Sequence, residues 1–396
     1  MLSRVVWACL FYVNFLLLVG NVWSIIGDKR KCVPKENIEE YVNILGGTDS
    51  RYDLSRGSTL PFITRPWGFN NYAPQTDDDP TWQGWWFHPS DRRFFGIRVT
   101  HQPSPWISDY GNFLLQAYMP TNPGDASASQ DKSSAYSAKK SSFHPYYFST
   151  SLLNYDNSKG ITQLELTPTQ HGGLMRVAFP PYVEHESGDG ISTNYVQTRR
   201  IAIRLFAAAG DSIEVTNGTS SSSRSTGTTT IFGYTHTNSG GIDAGSTFAH
   251  YFYAEIYAGE GGATPTLATH TYTDTHSHGY VDLDPKNPDT QIITVRFATS
   301  LISLAQAQEN FRQEVGVDKT FEEVRIEAGR EWRGVLERAR VVSMDDSYDA
   351  CEQEDLKTVY YSSLFRASLF PRQLVEITSG GEGVHWSPYT YMQAKG

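Results

Sequence analysis

The sequence predicts a mainly β protein, an antiparallel β-sandwich with helices after it, and two patterns carry that prediction. Between Phe94 and Phe297 short β-rich runs recur, bounded by turn residues and with no helical period between them, as in a sandwich and unlike a βαβ fold. After Ser300 the hydrophobic period changes, once, to that of amphipathic helices, and this change marks a domain boundary. The chain has 396 residues, 39% of them hydrophobic and 19% charged, so it is long enough for two domains and apolar enough to bury a core.

In order, the strand candidates are Phe94–Thr100, Asn112–Tyr118, Tyr146–Leu153, Ile161–Thr167, Gly173–Phe179, Arg200–Ala207, Thr228–Thr235, His250–Tyr257 and Gln291–Phe297. Two Ser-rich inserts, Ala126–Ser142 and Ser220–Thr230, read as surface loops without chemistry. Ala305–Asn310 opens the helical part. Thr320 followed by Glu322 and Glu323 reads as an N-cap with acids in the first turn, where the helix dipole favours them. Phe321, Val324, Ala328, Trp332 and Leu336 then keep one apolar face. A third helix over Asp355–Phe370 is closed by Pro371. Two or three helices do not close a bundle, so Tyr360, Tyr361, Phe365 and Leu369 are expected to expose an apolar patch.

The N-terminus reads as a secretory signal. Arg4 supplies the positive charge, Val5–Gly20 is almost continuously apolar, and Val22-Trp23-Ser24 offers a small residue for cleavage; an uncleaved anchor is the alternative. Either way the expected location is secreted or lumenal. Cys9 would leave with the signal, and the remaining Cys32 and Cys351 can pair in an oxidising compartment without amounting to a disulfide framework. Asn217-Gly218-Thr219 is a glycosylation sequon in a polar stretch. A formal net charge of −10 argues against a sequence-independent nucleic-acid binder, which needs cations to displace counterions from phosphates.

Other constellations are weaker. His270, His276 and His278 sit in a hairpin pattern that can hold a metal but lacks a third committed ligand. Asp77-Asp78-Asp79 offers oxygen ligands for calcium, or simply a solvated acidic run. There is no G-x-S-x-G elbow, P-loop or dinucleotide fingerprint, so serine-nucleophile and phosphate-transfer chemistry have no support.

A dense run of Gly, Pro, Trp, His and Asp extends from Tyr41-Val42-Asn43 through Gly47-Thr48-Asp49, Pro66-Trp67-Gly68 and Pro74-Gln75-Thr76 to His101–Gly111. In order and approximate spacing it resembles the opening of glycoside hydrolase family 92, the secreted exo-acting α-mannosidases. Leu164–Thr169, His250–Glu255, Ala307–Asn310, Glu331-Trp332 and Tyr360–Arg372 are similar to that family's later landmarks, so the resemblance covers nearly the whole mature chain. It implies a sandwich of the supersandwich type, linker helices and the start of an (α/α)6 helical domain. On this reading residues 1–24 are the signal, 25–298 the sandwich, 299–344 a helical linker and 345–396 a truncated start of the barrel.

The resemblance also implies calcium as cofactor, terminal α-mannosyl residues of glycans as partners, and hydrolysis with inversion, which needs two carboxyl groups far enough apart to admit a water. In the family the catalytic carboxylates and most calcium ligands belong to the barrel, so none is carried over to this chain. The alternative is a carbohydrate-binding chain without activity. What remains is the sandwich side of the sugar pocket. Trp85 and Trp86 resemble the position from which the family's sandwich sends an aromatic ring into the active site, where an indole face suits the C–H side of a pyranose. Core packing is the competing reading, and adjacent strand residues point to opposite faces. His101, Gln102, Trp106 and Asp109 lie in a Pro-broken loop that can fix donors and acceptors for a ligand. Asp109 can equally satisfy backbone N–H groups of that loop.

Overall fold

The computed structural model describes residues 32–78, 84–120, 133–154, 160–183, 198–206, 210–216, 229–238, 248–259, 268–273 (backbone only), 278–316, 319–342, 347–387, 390 and 392–395. The signal segment, Asp79, Asn217, His276 and the His270 side chain lie outside the described residues.

The strands are β1 (Asn71–Gln75), β2 (Arg93–Phe94), β3 (Gly96–Thr100), β4 (Phe113–Tyr118), β5 (Ser134–Ala135), β6 (Ser142–His144), β7 (Tyr147–Leu153), β8 (Ile161–Pro168), β9 (Gly172–Ala178) and β10 (Arg199–Leu205). They continue as β11 (Ser212–Thr216), β12 (Thr229–Thr235), β13 (His250–Ala258), β14 (Ala268–Thr273), β15 (His278–Leu283) and β16 (Ile292–Ser300), then β17 (Glu376–Ile377), β18 (Gly383–Ser387) and β19 (Met392–Lys395) after the helices. Every pairing is antiparallel. A six-stranded sheet runs β1-β3-β4-β10-β15-β14, and a ten-stranded sheet runs β11-β12-β13-β16-β9-β8-β7-β5-β2 with β6 on β7. The expected Phe94 strand is two strands in different sheets, because Gly96 takes φ 153 and turns the chain from one to the other. A Cβ there would stand 2.6 Å from the Leu115 carbonyl oxygen, which only glycine avoids.

Alternation of side chains makes this a two-sided structure. Inward residues of both sheets meet between them: Tyr72 lies 5.6 Å from Phe297 and Phe113 lies 4.9 Å from Phe252, ring centre to ring centre, amid buried Ile201, Ile203, Leu164 and Val177. The neighbours of those residues on the ten-stranded sheet face outward, and Leu174, Tyr253 and Ala298 form a second apolar surface. Helices cover it.

The helices are α1 (Leu304–Glu314), α2 (Phe321–Leu336) and α3 (Ala350–Ala367). Ser303 caps α1, and Thr320 with Glu323 forms a reciprocal capping box on α2, as Asp349 with Glu352 does on α3. Phe311 of α1 meets Tyr253 edge-on at 5.2 Å. The predicted stripe of α2 is the buried one: Phe321, Val324, Ala328, Trp332 and Leu336 are all fully inaccessible, and the Trp332 Nε1–H donates to the Thr64 carbonyl at 2.7 Å.

Two expectations are corrected. The apolar patch assigned to α3 is mostly covered, since Tyr361, Phe365 and Leu369 are buried against Tyr41 and Trp332, with only Tyr360 of the four exposed. The helix is apolar on two faces about 100° apart, and Tyr41 with Trp332 of α2 covers one of them. The exposed face carries Leu356, Val359 and Tyr360 instead. The end of the first Ser-rich insert is also not a surface loop, because Ser134–Ala135 enters the ten-stranded sheet and Tyr136 and Ala138 reach the core. After α3 the chain forms a small three-stranded sheet, β17-β18-β19, where the sequence analysis assigns no element.

The segment before the sandwich is strapped across α2 and α3. Cys32 and Cys351 form a disulfide, Glu39 pairs with Arg333, Tyr41 OH donates to Glu354, and the Asn43 N–H donates to Ser362 Oγ. The disulfide spans a sequence separation of 319 residues, so it restricts the unfolded chain strongly. The double substitution Cys32→Ser/Cys351→Ser should therefore lower stability by about 2–4 kcal/mol. Chemical unfolding of both proteins under oxidising conditions checks this, and coincident midpoints would contradict it.

Candidate functional site

The loop from His101 to Gly111 leaves β3 and returns to β4, and Pro103 and Pro105 keep it from extending the strands. Its shape is set from inside by Asp109, which is buried. Oδ2 accepts from Arg98 Nη2 at 3.2 Å and Thr100 Oγ1 at 2.7 Å, while Oδ1 accepts from the backbone N–H groups of His101 and Tyr110, each at 2.9 Å. The carboxylate is thus spent on the loop itself. Burial pulls the Arg98 pKa below its ordinary value, partly offset by Asp109, and the guanidinium stacks 5.0 Å from the Trp86 ring and 4.5 Å from Phe206.

Gln102 and Trp86 complete the buried frame. Trp86 Nε1 donates to Gln102 Oε1 at 2.8 Å, and Gln102 Nε2 donates to the carbonyls of Ser104 and Gly84 at 2.9 and 3.3 Å. Trp86 is 3% exposed and belongs to the core. Its neighbour turns the other way: Trp85 is half-buried and meets Trp106 edge to face, with ring centres 5.2 Å apart and planes at 89°. Trp106 is 53% exposed, its Nε1 donates to Ser58 Oγ at 3.0 Å, and the ring of Tyr52, also exposed, lies 5.5 Å from it. Trp85, Trp106 and Tyr52 therefore make an amphipathic aromatic surface whose rings present both C–H-accepting faces and polar edges.

His101 lies at the inner end of the loop, stacked on Tyr110 at 4.3 Å and crossing His250 of β13 at 5.0 Å. Burial, the neighbouring His250 and the Arg372 guanidinium push the His101 pKa well below the usual imidazole value, and burial lowers His250 to about 4. Gly111 allows this contact: it takes φ 60, and a Cβ on it would stand 2.6 Å from the His250 Cβ. A third imidazole behaves oppositely. Burial disfavours the charge on His171, but Glu314 beside it outweighs that and raises its pKa, while its Nε2 meets the Val375 carbonyl at 3.1 Å.

The resemblance assigns no calcium ligand to this chain, and the acidic run 77–79 is the candidate read from the sequence itself. Among the described residues no group of three or more His, Cys, Asp or Glu side chains comes together as a metal site. Of the acidic run, Asp78 accepts from Gln75 Nε2 and pairs with Arg204, so its carboxylate is already engaged.

Sequence reasoning named His101, Gln102, Trp86 and Asp109, which form the buried frame, and Trp85 and Trp106, which reach solvent. It did not name Tyr52 or Ser58 as part of the site, because the loop carrying them is about fifty residues away and contacts Trp106 only through the fold. His250 and Arg372 entered only as parts of longer runs, and nothing in their spacing signals that they meet His101.

The same fold and site define a class. The description "Glycosyl hydrolase family 92 N-terminal domain" matches residues 41–300, and "Glycosyl hydrolase family 92 catalytic domain" matches residues 306–395. The chain belongs to glycosyl hydrolase family 92. Among solved structures it is similar to the family GH92 inverting mannosidase BT2199 from Bacteroides thetaiotaomicron, at 26% identity and a TM-score of 0.71 over 92% of this chain and 44% of that one. The fold is shared with the family GH92 alpha-mannosidase BT3965 from the same organism, at 19% identity and a TM-score of 0.63, covering 92% of this chain and 45% of that chain. The chain thus spans less than half the length of these structures. No curated protein matches it.

Two outcomes follow from the buried groups. Asp109→Ala leaves the Arg98 guanidinium buried without its partner, so stability should fall by about 3–5 kcal/mol, and Asp109→Asn should recover part of the loss by keeping hydrogen bonds. Urea unfolding checks this; an unchanged midpoint for Asp109→Ala would show that the loop does not depend on the pair.

The second concerns pH. The unfolded chain protonates His250 near pH 6.5, but the folded protein resists until about 4, so this group's stability is present above 6.5 and is lost as pH falls through that window. The full loss is on the order of 3 kcal/mol. His171 has the opposite sign, because its raised pKa adds stability at low pH. Replacing His250 with Gln should flatten the fall of unfolding free energy between pH 7 and about 4. Identical slopes for the two proteins would contradict the assignment.

Proposed function

We propose that this chain supplies the sandwich side of a sugar-binding site that recognises terminal α-linked mannose on glycans, in an enzyme that removes such residues with inversion. One observation carries the reading: Trp106, exposed on a loop held from inside by the buried Asp109–Arg98 pair, meets the half-buried Trp85 edge to face. Rings fixed in this way accept a pyranose without the cost of ordering them at binding. Family membership supports glycosidase chemistry, and BT3965, which shares the fold, has been solved in complex with mannoimidazole. Calcium belongs to this proposal by resemblance, with its ligands expected mostly beyond the residues named here. The Cys32–Cys351 disulfide supports a secreted or lumenal location, where such a bond persists.

A second reading, glycan binding without catalysis, is favoured by the state of Asp109. It is the one carboxylate among the six predicted residues, and it is committed to Arg98 and the loop. Inversion needs a carboxylic acid and a carboxylate free to act on the leaving group and a water. Residues 25–396 are accordingly expected to bind a methyl α-mannoside but not to release mannose from an aryl α-mannoside, with or without calcium. Turnover abolished by replacing a carboxylate of this chain would establish catalysis within it; the absence of any mannoside binding would remove the site.

The two tryptophans separate binding from folding. Trp85→Ala should weaken mannoside binding by about 1–3 kcal/mol, the worth of an aromatic face covered by ligand, with little change in the melting temperature. Trp86→Ala should cost about 3–5 kcal/mol of stability, as for a core aromatic. Calorimetric titration and thermal melts of both variants decide this, and a Trp85 variant that binds like the parent would sink the assignment.

A further inference from the structure

His101, His250 and Arg372 each end in a buried polar atom with no hydrogen-bond partner among the described residues: Nε2 of each imidazole and Nη1 of the guanidinium. The three side chains come from separate parts of the fold, the loop 101–111, the first residue of β13, and the segment after α3. His101 meets both of the others. The imidazole centres are 5.0 Å apart with planes at 69°, and the other terminal nitrogen of Arg372, Nη2, donates to the His101 carbonyl at 2.9 Å.

The partners fix what each end can do. His101 Nδ1 lies 2.8 Å from the Tyr110 carbonyl oxygen, and His250 Nδ1 lies 2.6 Å from that of Gly111. A carbonyl only accepts, so each Nδ1 carries the proton and each neutral imidazole presents a bare lone pair at Nε2. Arg372 Nη1 has only N–H to offer. The two rings hang from successive carbonyls of one turn, so their Nε2 edges both project away from it. The site thus offers two acceptors and one donor, sealed from solvent, and a buried polar group left without a partner is destabilising.

We propose that these three atoms bind one internal water molecule, which is a structural ligand of the fold. The count matches: its two O–H groups donate to the two Nε2 atoms and one lone pair accepts from Arg372 Nη1–H. Three partners is the usual number for a buried water. A transition metal is the rival, because imidazoles with Nδ1–H tied to carbonyls are also how histidine ligands are presented. Here the guanidinium places a positive charge beside the position a cation would take, and no third His, Cys, Asp or Glu completes a set among the described residues. An anion would suit Arg372 but would face two lone pairs. The water would join the loop that carries Trp106 to β13 and to the segment after α3.

A high-resolution crystal structure of the chain at neutral pH tests this directly. A single solvent peak within hydrogen-bond distance of His101 Nε2, His250 Nε2 and Arg372 Nη1 is expected; ordered side chains with no peak, or with the three ends bonded to one another, overturn the proposal. In solution, a double-mutant cycle of His250→Phe and Arg372→Met should show coupling of about threefold or more in the folded-to-unfolded ratio. Zinc chloride and inorganic phosphate should leave the melting temperature of the parent unchanged. A rise with either one that disappears in His250→Phe would identify a metal or anion site in place of water.

Discussion

The buried contact between Asp109 and Arg98 is the constraint on which the site end of the molecule depends. An ion pair taken out of water is favourable only when its remaining hydrogen-bonding capacity is filled, and here it is. Asp109 takes the backbone N–H groups of His101 and Tyr110, the Thr100 hydroxyl and the Arg98 guanidinium, while Arg98 also donates to Gln75 Oε1 and stacks on Trp86. Because both ends of the loop are bonded to one carboxylate, the span between them cannot open without breaking several bonds together. A Pro-broken connection is thereby as rigid as the strands it joins.

The C-terminal segment closes the same end of the sandwich through polar contacts. His171 in the β8–β9 turn meets Glu314 at the end of α1 and the Val375 carbonyl, and two acceptors facing one imidazole require both ring nitrogens to donate. The ring is therefore a cation paired with a carboxylate, which agrees with its raised pKa. Next to it Glu376 is fully buried, accepts from the Leu301 N–H and from Asn310 Nδ2, and has its pKa raised by burial. Glu376 is the first residue of β17, so the small sheet docks on α1 and β16 through specific hydrogen bonds more than through apolar area. Such a joint fixes register where a slippery apolar contact would not.

How much of this was legible depended on what each segment buries. β16 is apolar and β-branched because it lies between the sandwich core and α1, and α2 showed its face because a single stripe enters the core. β1 was not legible: Asn71, Pro74 and Gln75 are poor strand residues, and they pair only because β3 is already in place beside them. β17 to β19 failed for the same reason, being short and held by their docking. On α3 the period was visible but not which of two apolar faces would be covered, since that is set by Tyr41 and Trp332, distant in sequence. At the site, composition pointed to the loop 101–111 and to the Trp pair, but not to the division between buried frame and exposed rings. That division comes from Arg98 and Gln102, whose hydrogen bonds no spacing rule reveals.

The exposed rings raise a further physical point. A tryptophan at the surface gains little by being held still, yet Trp106 is held by Ser58, a non-glycine residue at φ 49. That left-handed conformation costs an ordinary residue roughly 1–2 kcal/mol. The cost is offset locally, because the Ser58 N–H donates to Ser50 Oγ and its hydroxyl also meets Ser55. Two loops far apart in sequence are thus spliced at a strained serine whose hydroxyl points at an indole N–H in solvent. Stability alone would be served as well by a relaxed turn and a free ring. What the strained arrangement secures is the orientation of Trp106 perpendicular to Trp85.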